Sequence, residues 1–166
     1  MEVSKKVVFI KDWILNYVNS MPVKAQSLVI GISGGIDSSV TSTLCAMTGL
    51  KTIVLTMPIK QNKEQNDLSL LHNKWLNDKF DNIESHSLEL DNVFKNFENT
   101  LAGFKNEHGM ANSRARLRMT TLYQVAAANN GIVVGTGNKV EDFGVGFYTK
   151  YGDGGVDISP IADCTK

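Results

Sequence analysis

The sequence predicts an α/β protein with a mostly parallel sheet flanked by helices, in a single domain over residues 1–166. Apolar runs alternate with amphipathic stretches, as in successive βαβ units. The apolar runs are continuous, which is typical of strands that are buried on both faces. A loop rich in Gly and Ser, residues 31–39, joins the first strand to a helix. Because ligands of such sheets bind beyond the carboxyl ends of the strands, this loop and the segment after Thr136 are expected to lie together.

The first elements follow from apolar spacing and from helix-ending residues. Residues 4–19 have apolar positions at helical spacing, and Met21-Pro22 ends this helix. Residues 28–32 form a continuous apolar run that predicts a buried strand. The helix after the loop is expected to end near Gly49, a residue type suited to a helix C-terminus.

The middle of the chain predicts two more strands around a helix. Residues 52–57 are the second strand, which Pro58 ends, and residues 83–88 are a weaker third strand. Residues 64–79 are predicted to be a helix between them. Its expected inward positions are Leu68, Leu71, Trp75 and Leu76.

The remaining chain predicts two helices, a fourth strand and an irregular end. Asp91 is the expected N-cap of the first of these helices, whose apolar side is Val93, Phe94 and Phe97. After a polar, Gly-containing loop, residues 113–130 predict a long helix and residues 132–136 a buried strand. From Gly137 onward the chain is predicted to be irregular.

Bulk composition narrows the function classes. The chain has 42% apolar and 20% charged residues and a formal net charge of zero. This balance gives no general attraction to nucleic acid or to an anionic membrane surface, and no apolar run approaches the ~20 residues of a membrane span. Cys45 and Cys164 lack metal-type or redox spacing and are expected to be free thiols in a reducing cytoplasm.

The loop Gly31-Ile32-Ser33-Gly34-Gly35-Ile36-Asp37-Ser38-Ser39 is the main functional signal. Its glycines permit close approach of the backbone to a ligand, and it leads into a helix N-terminus that favours an anion. A phosphate is the expected guest, with Asp37 available for its metal ion. The loop lacks the Lys of a Walker A motif and the spacing of a dinucleotide fingerprint. The alternative is an ordinary strand-to-helix turn.

Three further groups of residues are candidates. Glu141 can supply a second carboxylate for Mg²⁺, or Glu141 and Asp142 are solvated loop acids. The chain's arginines are confined to Arg114, Arg116 and Arg118, which either bind anions or form a solvated helix start. Arg114 and Arg118 share a helix face and Arg116 lies opposite, so one ligand is not expected to contact all three.

The segment 147–157 combines aromatic rings, Lys150, two carboxylates and several glycines. Such a segment can stack on a flat ring and bind ribose hydroxyls, or it can form a β-hairpin with a Gly turn. His72, His86 and His108 show no metal-ligand spacing and are interpreted as surface or packing residues.

The string SGGIDS resembles the SGGxDS loop of the PP-loop ATP pyrophosphatases. With NSRARLRM, GTGNKVED and FYTKYGDGGVDISPIADCTK in this order, the chain from Leu28 to Lys166 resembles the ammonia-dependent NAD⁺ synthetases. The resemblance implies the Rossmann-like fold of the adenine nucleotide alpha hydrolases. It also implies adenylation of the carboxylate of deamido-NAD⁺ by ATP, followed by attack of ammonia to give NAD⁺, AMP and pyrophosphate.

The resemblance also implies site residues, by position in the shared motifs. The positions for ATP are Gly31, Ile32, Ser33, Gly34, Gly35, Ile36, Asp37, Ser38, Thr136 and Lys166. The positions for deamido-NAD⁺ are Arg116, Lys150 and Asp157, and those for Mg²⁺ are Asp37 and Glu141. No nucleophile is implied. Family members of this kind are homodimers, and with no amidase domain expected before Met1, ammonia would come free or from a separate amidase.

Two departures accompany the resemblance. Cys164 replaces an apolar residue of the family pattern, and family members continue past the position of Lys166, so the C-terminal part is expected to be missing.

Another PP-loop enzyme, such as a GMP synthetase, a tRNA-modifying ligase or a sulfurtransferase, is one alternative function. The neutral charge and two distant cysteines weigh against the tRNA and zinc or persulfide types. A nucleotide-binding module without catalysis is the other.

Overall fold

A computed structural model describes residues 2–60 and 63–165. The helices are α1 (Val3–Ser20), α2 (Ile36–Met47), α3 (Lys63–Lys79), α4 (Asp91–Thr100) and α5 (Glu107–Ala128). The strands are β1 (Ser27–Gly31), β2 (Lys51–Thr56), β3 (Ile83–Ser87) and β4 (Gly131–Val133). A short 3₁₀-helix (Ala102–Phe104) precedes α5, and a π-helical turn (Val140–Val145) follows β4.

The four strands form one parallel sheet in the order β3-β2-β1-β4. Leu28 of the central strand β1 is in register with Thr52 on one side and with Ile132 on the other. The chain builds outward from β1 to β3 and then returns through α4 and α5 to place β4 on the opposite side of β1. The strand order therefore reverses between β1 and β4, which is where such sheets bind ligands.

Alternate residues of the strands enter two separate cores. Leu28 and Ile30 pack in the core that includes α1 and α2, with Ile14 and Leu44 buried in it. The intervening Val29 of β1 packs in the other core, which includes residues of α4 and α5. The result is a three-layer arrangement of helices, sheet and helices, so the predicted fold class is confirmed.

Two predicted helix starts are wrong. α5 begins at Glu107 instead of residue 113, because the side chain of Asn106 accepts a hydrogen bond from the Gly109 N–H at 2.8 Å and caps the helix earlier. Asp91 is not the N-cap of α4, since Leu90 occupies that position. The Asp91 carboxylate instead accepts a hydrogen bond from the Lys60 backbone N–H at 2.7 Å.

The predicted inward face of α3 is largely wrong. Leu76 is buried as expected, but the side chains of Leu68, Leu71 and Trp75 are 48%, 65% and 42% exposed. The residues buried with Leu76 are Ser69 and Asn73. A hydrogen bond of 2.9 Å between His72 Nε2 and Ser42 Oγ ties this polar side of α3 to α2. Apolar periodicity cannot find a helix face that is held by polar contacts. In α4, only Phe94 of the predicted apolar side is buried, and Val93 and Phe97 are about half exposed.

Candidate functional site

A cleft of about 930 Å³ opens at the carboxyl end of the sheet, across the position where the strand order reverses. Gly31 and Ser33 line it from the end of β1, and Thr136 lines it from the segment after β4. The middle of α5 contributes Arg116, and the segment that follows the π-helical turn contributes Lys150. Residues from four distant parts of the sequence therefore meet at the edge that the βαβ pattern predicted.

The loop between β1 and α2 is held in shape by its own hydroxyl groups. The buried Ser38 Oγ donates to the Gly35 carbonyl at 2.9 Å and accepts from the Ser33 N–H at 3.3 Å. Ser39 Oγ donates to the same carbonyl at 3.0 Å. Gly34 has a φ of +86°, and its α-carbon lies against the backbone of Gln65 in α3. These contacts fix the backbone path that leads into the N-terminus of α2.

The opposite wall joins α5 to the segment 147–157. Arg116 Nε donates to the Lys150 carbonyl at 3.0 Å, and Thr149 Oγ1 donates to Asn112 Oδ1 at 2.9 Å. The Thr149 N–H donates to Asp153 Oδ1 at 2.9 Å. The backbone forms turns over residues 150–154 and contains no strand within 147–157, so the β-hairpin alternative is wrong.

The three arginines take different positions. Arg116 and Arg118 both line the cleft, and Arg118 Nε donates to the Met57 carbonyl at 3.0 Å. The guanidinium of Arg114 instead lies over the Phe94 ring, 5.8 Å from its centroid. The expectation that one ligand would not meet all three agrees with this separation. The expectation that Arg114 and Arg118 would lie together is wrong, because Arg116 and Arg118 line the cleft and Arg114 does not.

Asp37 and Glu141 are the two carboxylates that the sequence predicts to hold a magnesium ion. Asp37 lies in the first turn of α2, after β1, and Glu141 lies in the first turn of the π-helix, after β4. Both are half-buried, and β1 and β4 are neighbours. Over residues 2–60 and 63–165 no group of three or more His, Cys, Asp or Glu side chains could hold a metal. Two hard carboxylates on adjacent connections fit Mg²⁺, which completes its shell with phosphate oxygens and water.

Asp142, next to Glu141, is also set apart by its surroundings. Burial raises the pKa of the Asp142 carboxyl group, and the nearby charges of Asp153 and Glu141 raise this pKa further. Its carboxylate packs against the α-carbon of Gly137. The Asp142 side chain is therefore partly buried and packs against the loop that follows β4.

Asp157 lies beside the carboxyl end of β4, where it binds the strand's backbone. Its Oδ2 accepts from the Val133 N–H at 2.7 Å, and its Oδ1 accepts from the Tyr123 hydroxyl at 3.1 Å. Burial, with added effects from the charge and hydrogen bond of Asp157, raises the pKa of Tyr123 to about 12. Asp157 therefore connects its own segment to α5 through Tyr123 and to β4 through Val133.

The structure brings only part of the predicted site to the cleft wall. The predicted residues that line it are Gly31, Ile32, Ser33, Thr136, Arg116 and Lys150. Those placed beside it, on the loop or its flanking turns, are Gly34, Gly35, Ile36, Asp37, Ser38, Glu141 and Asp157. Lys166, a predicted ATP contact, lies outside the described residues.

Sequence reasoning missed several lining residues. Met57, Gln65 and His108 line the cleft, whereas the sequence predicts His108 to be a surface or packing residue. Gln65 and His108 reach the cleft through the packing of α3 and α5, so sequence spacing carries no signal for them, and Met57 follows the end of β2. Asn138 was also missed: it is 1% exposed, and its Oδ1 accepts from the N–H groups of Val140 and Glu141. An Asn just before a helical turn is the pattern that could have revealed this cap.

The sheet order and the flanking helices define an α/β domain with a Rossmann-like fold, and its candidate site lies at the reversal of strand order. The family model described as NAD synthase matches residues 6–166. This match covers almost the whole chain, and the protein belongs to the NAD synthase family.

Named relatives agree with this assignment. The NH(3)-dependent NAD(+) synthetase of Saccharolobus solfataricus is 41% identical over 139 residues, covering 83% of this chain and 48% of that protein. The NH3-dependent NAD synthetase of Campylobacter jejuni, solved with a nitrate ion, has a TM-score of 0.88 and 31% identity, covering 100% of this chain and 69% of that one. The NMN synthetase of Francisella tularensis has a TM-score of 0.82 and 36% identity, covering 98% and 64%.

The chain spans about half the length of the first of these relatives and 68% of the length of the NH(3)-dependent NAD(+) synthetase of Alkaliphilus metalliredigens. Among the described residues, no helix is both long and apolar enough to cross a membrane. Cys45 and Cys164 are free thiols, as the sequence predicted.

Proposed function

We propose that this domain carries the ATP-binding part of an ammonia-dependent NAD⁺ synthetase, a ligase that amidates deamido-NAD⁺. The observation that carries the proposal is the cleft, where the SGGIDS loop, Thr136, Arg116 and Lys150 converge. A phosphate-binding loop and two cations around one space suit a reaction between two anionic nucleotides. The family membership of the chain supports the same reaction.

The reaction has two balanced steps. A carboxylate oxygen of deamido-NAD⁺ attacks the α-phosphorus of ATP, forming a mixed anhydride with AMP and releasing pyrophosphate. Ammonia then attacks the acyl carbon, and the amide forms as AMP leaves and one proton is lost. No protein nucleophile takes part, so the chain acts by holding the reactants in line and by stabilising developing charge.

Residues of the cleft divide these tasks. The N–H groups of the loop and the N-terminus of α2 are suited to the phosphates of ATP. Arg116 and Lys150 are suited to the anionic groups of the dinucleotide, and the hydrogen bond from Arg116 to the Lys150 carbonyl keeps them together. Asp37 and Glu141 would hold Mg²⁺, which when bound neutralises negative charge on the departing pyrophosphate. Closure of the site against water protects the activated acyl group from hydrolysis.

A second substrate is favoured by one specific finding. A solved relative with 36% identity is named an NMN synthetase. The same two steps on the acid form of the mononucleotide would give NMN, with the adenylate half of the dinucleotide absent. Both acids are therefore compared in the assay below.

Assembly and location are part of the proposal. The α1 side chains of Phe9, Trp13 and Tyr17 recur every fourth residue and are 61%, 38% and 39% exposed, which suits the homodimer that family resemblance implies. Sedimentation equilibrium of the full gene product would show a mass of two chains.

The free thiols are compatible with a cytoplasmic location, and the zero net charge is compatible with a protein that does not bind nucleic acid.

The test is formation of NAD⁺ or NMN from the matching acid, Mg-ATP and ammonium. It compares the 166-residue chain with the protein expressed to the natural stop codon of its gene. Asp37→Asn should lower the rate by at least about 100-fold, since a lost metal ligand removes several kcal/mol of charge stabilisation. Asp78→Asn, on the exposed side of α3, is the matched control and should keep the wild-type rate.

Each outcome assigns the function differently. Product from deamido-NAD⁺ supports the dinucleotide reaction, and product from the mononucleotide alone supports the second candidate. Tight ATP binding without product from the longer protein would support a nucleotide-binding module. Folded protein that neither binds ATP nor forms product would refute the proposal.

A further inference from the structure

The cleft carries an excess of positive side chains. Its charged lining among the described residues consists of Lys60, Arg116, Arg118, Lys150 and Asp153. The Lys60 ammonium is already paired with Glu98 at 2.6 Å. Arg116 and Lys150 have roles in the proposed reaction, but Arg118 has none. Its position therefore needs a separate explanation.

Arg118 is fixed in place by one hydrogen bond, from Nε to the Met57 carbonyl at the end of β2. The guanidinium has five N–H donors, so this bond leaves the terminal amino groups of the fork available to a ligand. The side chain is half-buried and lines the cleft. A residue held by Nε at the wall of a cleft presents a pre-oriented, planar pair of donors.

The surroundings of Arg118 do not neutralise its charge. Among the described residues, no carboxylate forms an ion pair with it. Burial lowers the pKa of Arg118 and the nearby Arg114 lowers it further, while Asp91 acts in the opposite direction. The Asp91 carboxylate is itself bonded to the Lys60 N–H. A half-buried cation without a paired anion is unfavourable, and a bound anion would offset that cost.

We propose that Arg118 is a substrate-binding residue that holds an oxyanion of a reactant in this cleft. The inference rests on the proposed function, because its ligands are the two anionic nucleotides of that reaction. A planar guanidinium fork matches the paired oxygens of either a phosphate or a carboxylate. The two sources are the phosphate chain of ATP and the carboxylate of deamido-NAD⁺. Each can be compared with a ligand that lacks the anionic group.

Calorimetric titration of the full gene product with four ligands distinguishes these sources. ATP is paired with adenosine, which lacks the phosphates, and deamido-NAD⁺ is paired with NAD⁺, which has a neutral amide in place of the carboxylate. Arg118→Gln removes the charge, and Arg118→Lys keeps the charge but removes the fork. Arg114→Gln is the matched control, since Arg114 lies four residues earlier on α5 against Phe94.

In one pair, Arg118→Gln should weaken binding of the ligand that carries the tested anionic group by roughly 10- to 100-fold and leave binding of the ligand that lacks this group within about twofold. Loss in the ATP pair identifies phosphate as the bound group, and loss in the deamido-NAD⁺ pair identifies the carboxylate. Arg118→Lys should show a smaller loss in the same pair, and it carries the test if Arg118→Gln does not fold. Arg114→Gln should bind all four ligands like the wild type.

Equal affinities of wild type and Arg118→Gln for every ligand would overturn the inference and leave the proposed function intact. The same follows if both members of a pair weaken equally, because a structural role would do that. If the wild type binds none of the ligands, the proposed function fails first and the inference falls with it.

Discussion

Gly34 offers a direct test of how the phosphate loop is shaped. It has a φ of +86°, and an added Cβ would lie 2.4 Å from the Gln65 carbonyl oxygen in α3. Gly49 has a similar φ of +76°, but a Cβ there would meet no atom within 4 Å. Gly34→Ala and Gly49→Ala therefore share the backbone strain and differ in the clash.

The expected magnitudes follow from these two terms. Left-handed backbone costs a residue with a Cβ roughly 1–2 kcal/mol, and Gly49→Ala should lose about that much stability. Gly34→Ala adds an overpacking cost of about 1–3 kcal/mol, because the atom in the way belongs to a helix backbone and not to a movable side chain. Urea denaturation should then place Gly34→Ala about 1–3 kcal/mol below Gly49→Ala in free energy of unfolding.

ATP binding provides the functional readout for the same pair. To relieve the clash, the loop must move away from α3, which displaces the backbone N–H groups proposed to bind phosphate. Gly34→Ala should therefore weaken ATP binding, and Gly49→Ala, at the far end of α2, should not. Equal losses of stability in the two variants, or unchanged ATP affinity in a folded Gly34→Ala, would refute this account of the loop.

Three further predictions concern Asp157, Tyr123 and the cysteines. Asp157→Ala leaves the buried Val133 N–H without its acceptor and should cost roughly 1–3 kcal/mol in urea denaturation, whereas Asp157→Asn keeps an acceptor and should cost less. Because the pKa of Tyr123 is raised to about 12, the free energy of unfolding should fall as pH rises from about 10 to 12, and an ultraviolet titration should show Tyr123 ionising near pH 12. Burial raises the pKa of Cys45 to about 12, so Ellman's reagent should modify the partly exposed Cys164 in the native protein and Cys45 only after unfolding.

The fold could be predicted because its strands are buried on both faces. Residues 28–32 form a continuous apolar run and residues 52–57 are mostly apolar, and the structure has β1 and β2 within one residue of those bounds. Strands of this composition must be buried on both faces, and the helices that connect them make the strands pair in parallel. The start of α5 was missed by six residues because its first turns contain Gly109 and polar residues, so apolar spacing does not mark them.

The candidate site was predictable only where backbone chemistry is encoded in a local motif. The loop after β1 is recognisable from its glycines and hydroxyl residues, and its hydroxyl groups form hydrogen bonds within the loop. Met57 and His108 reach the cleft through tertiary packing and left no local signal. The sequence singled out Arg118 because the chain's arginines are confined to one short stretch. Helical spacing alone, however, placed Arg118 on the same face as Arg114, which lies against Phe94 in the structure.

The contacts of α5 explain how one helix can serve both the core and the cleft. Met119 and Leu122 are buried in the core and also border the cleft, while Arg116 and Arg118 of the same stretch of helix lie at the cleft wall. Arg118 bonds the end of β2 and Arg116 bonds the segment that follows β4, so the helix connects strands on both sides of β1. A shift of α5 along its axis would move both guanidinium groups together. We therefore expect substitutions in its buried face to alter ligand binding even where they touch no ligand, as core packing sets the distance between the two walls.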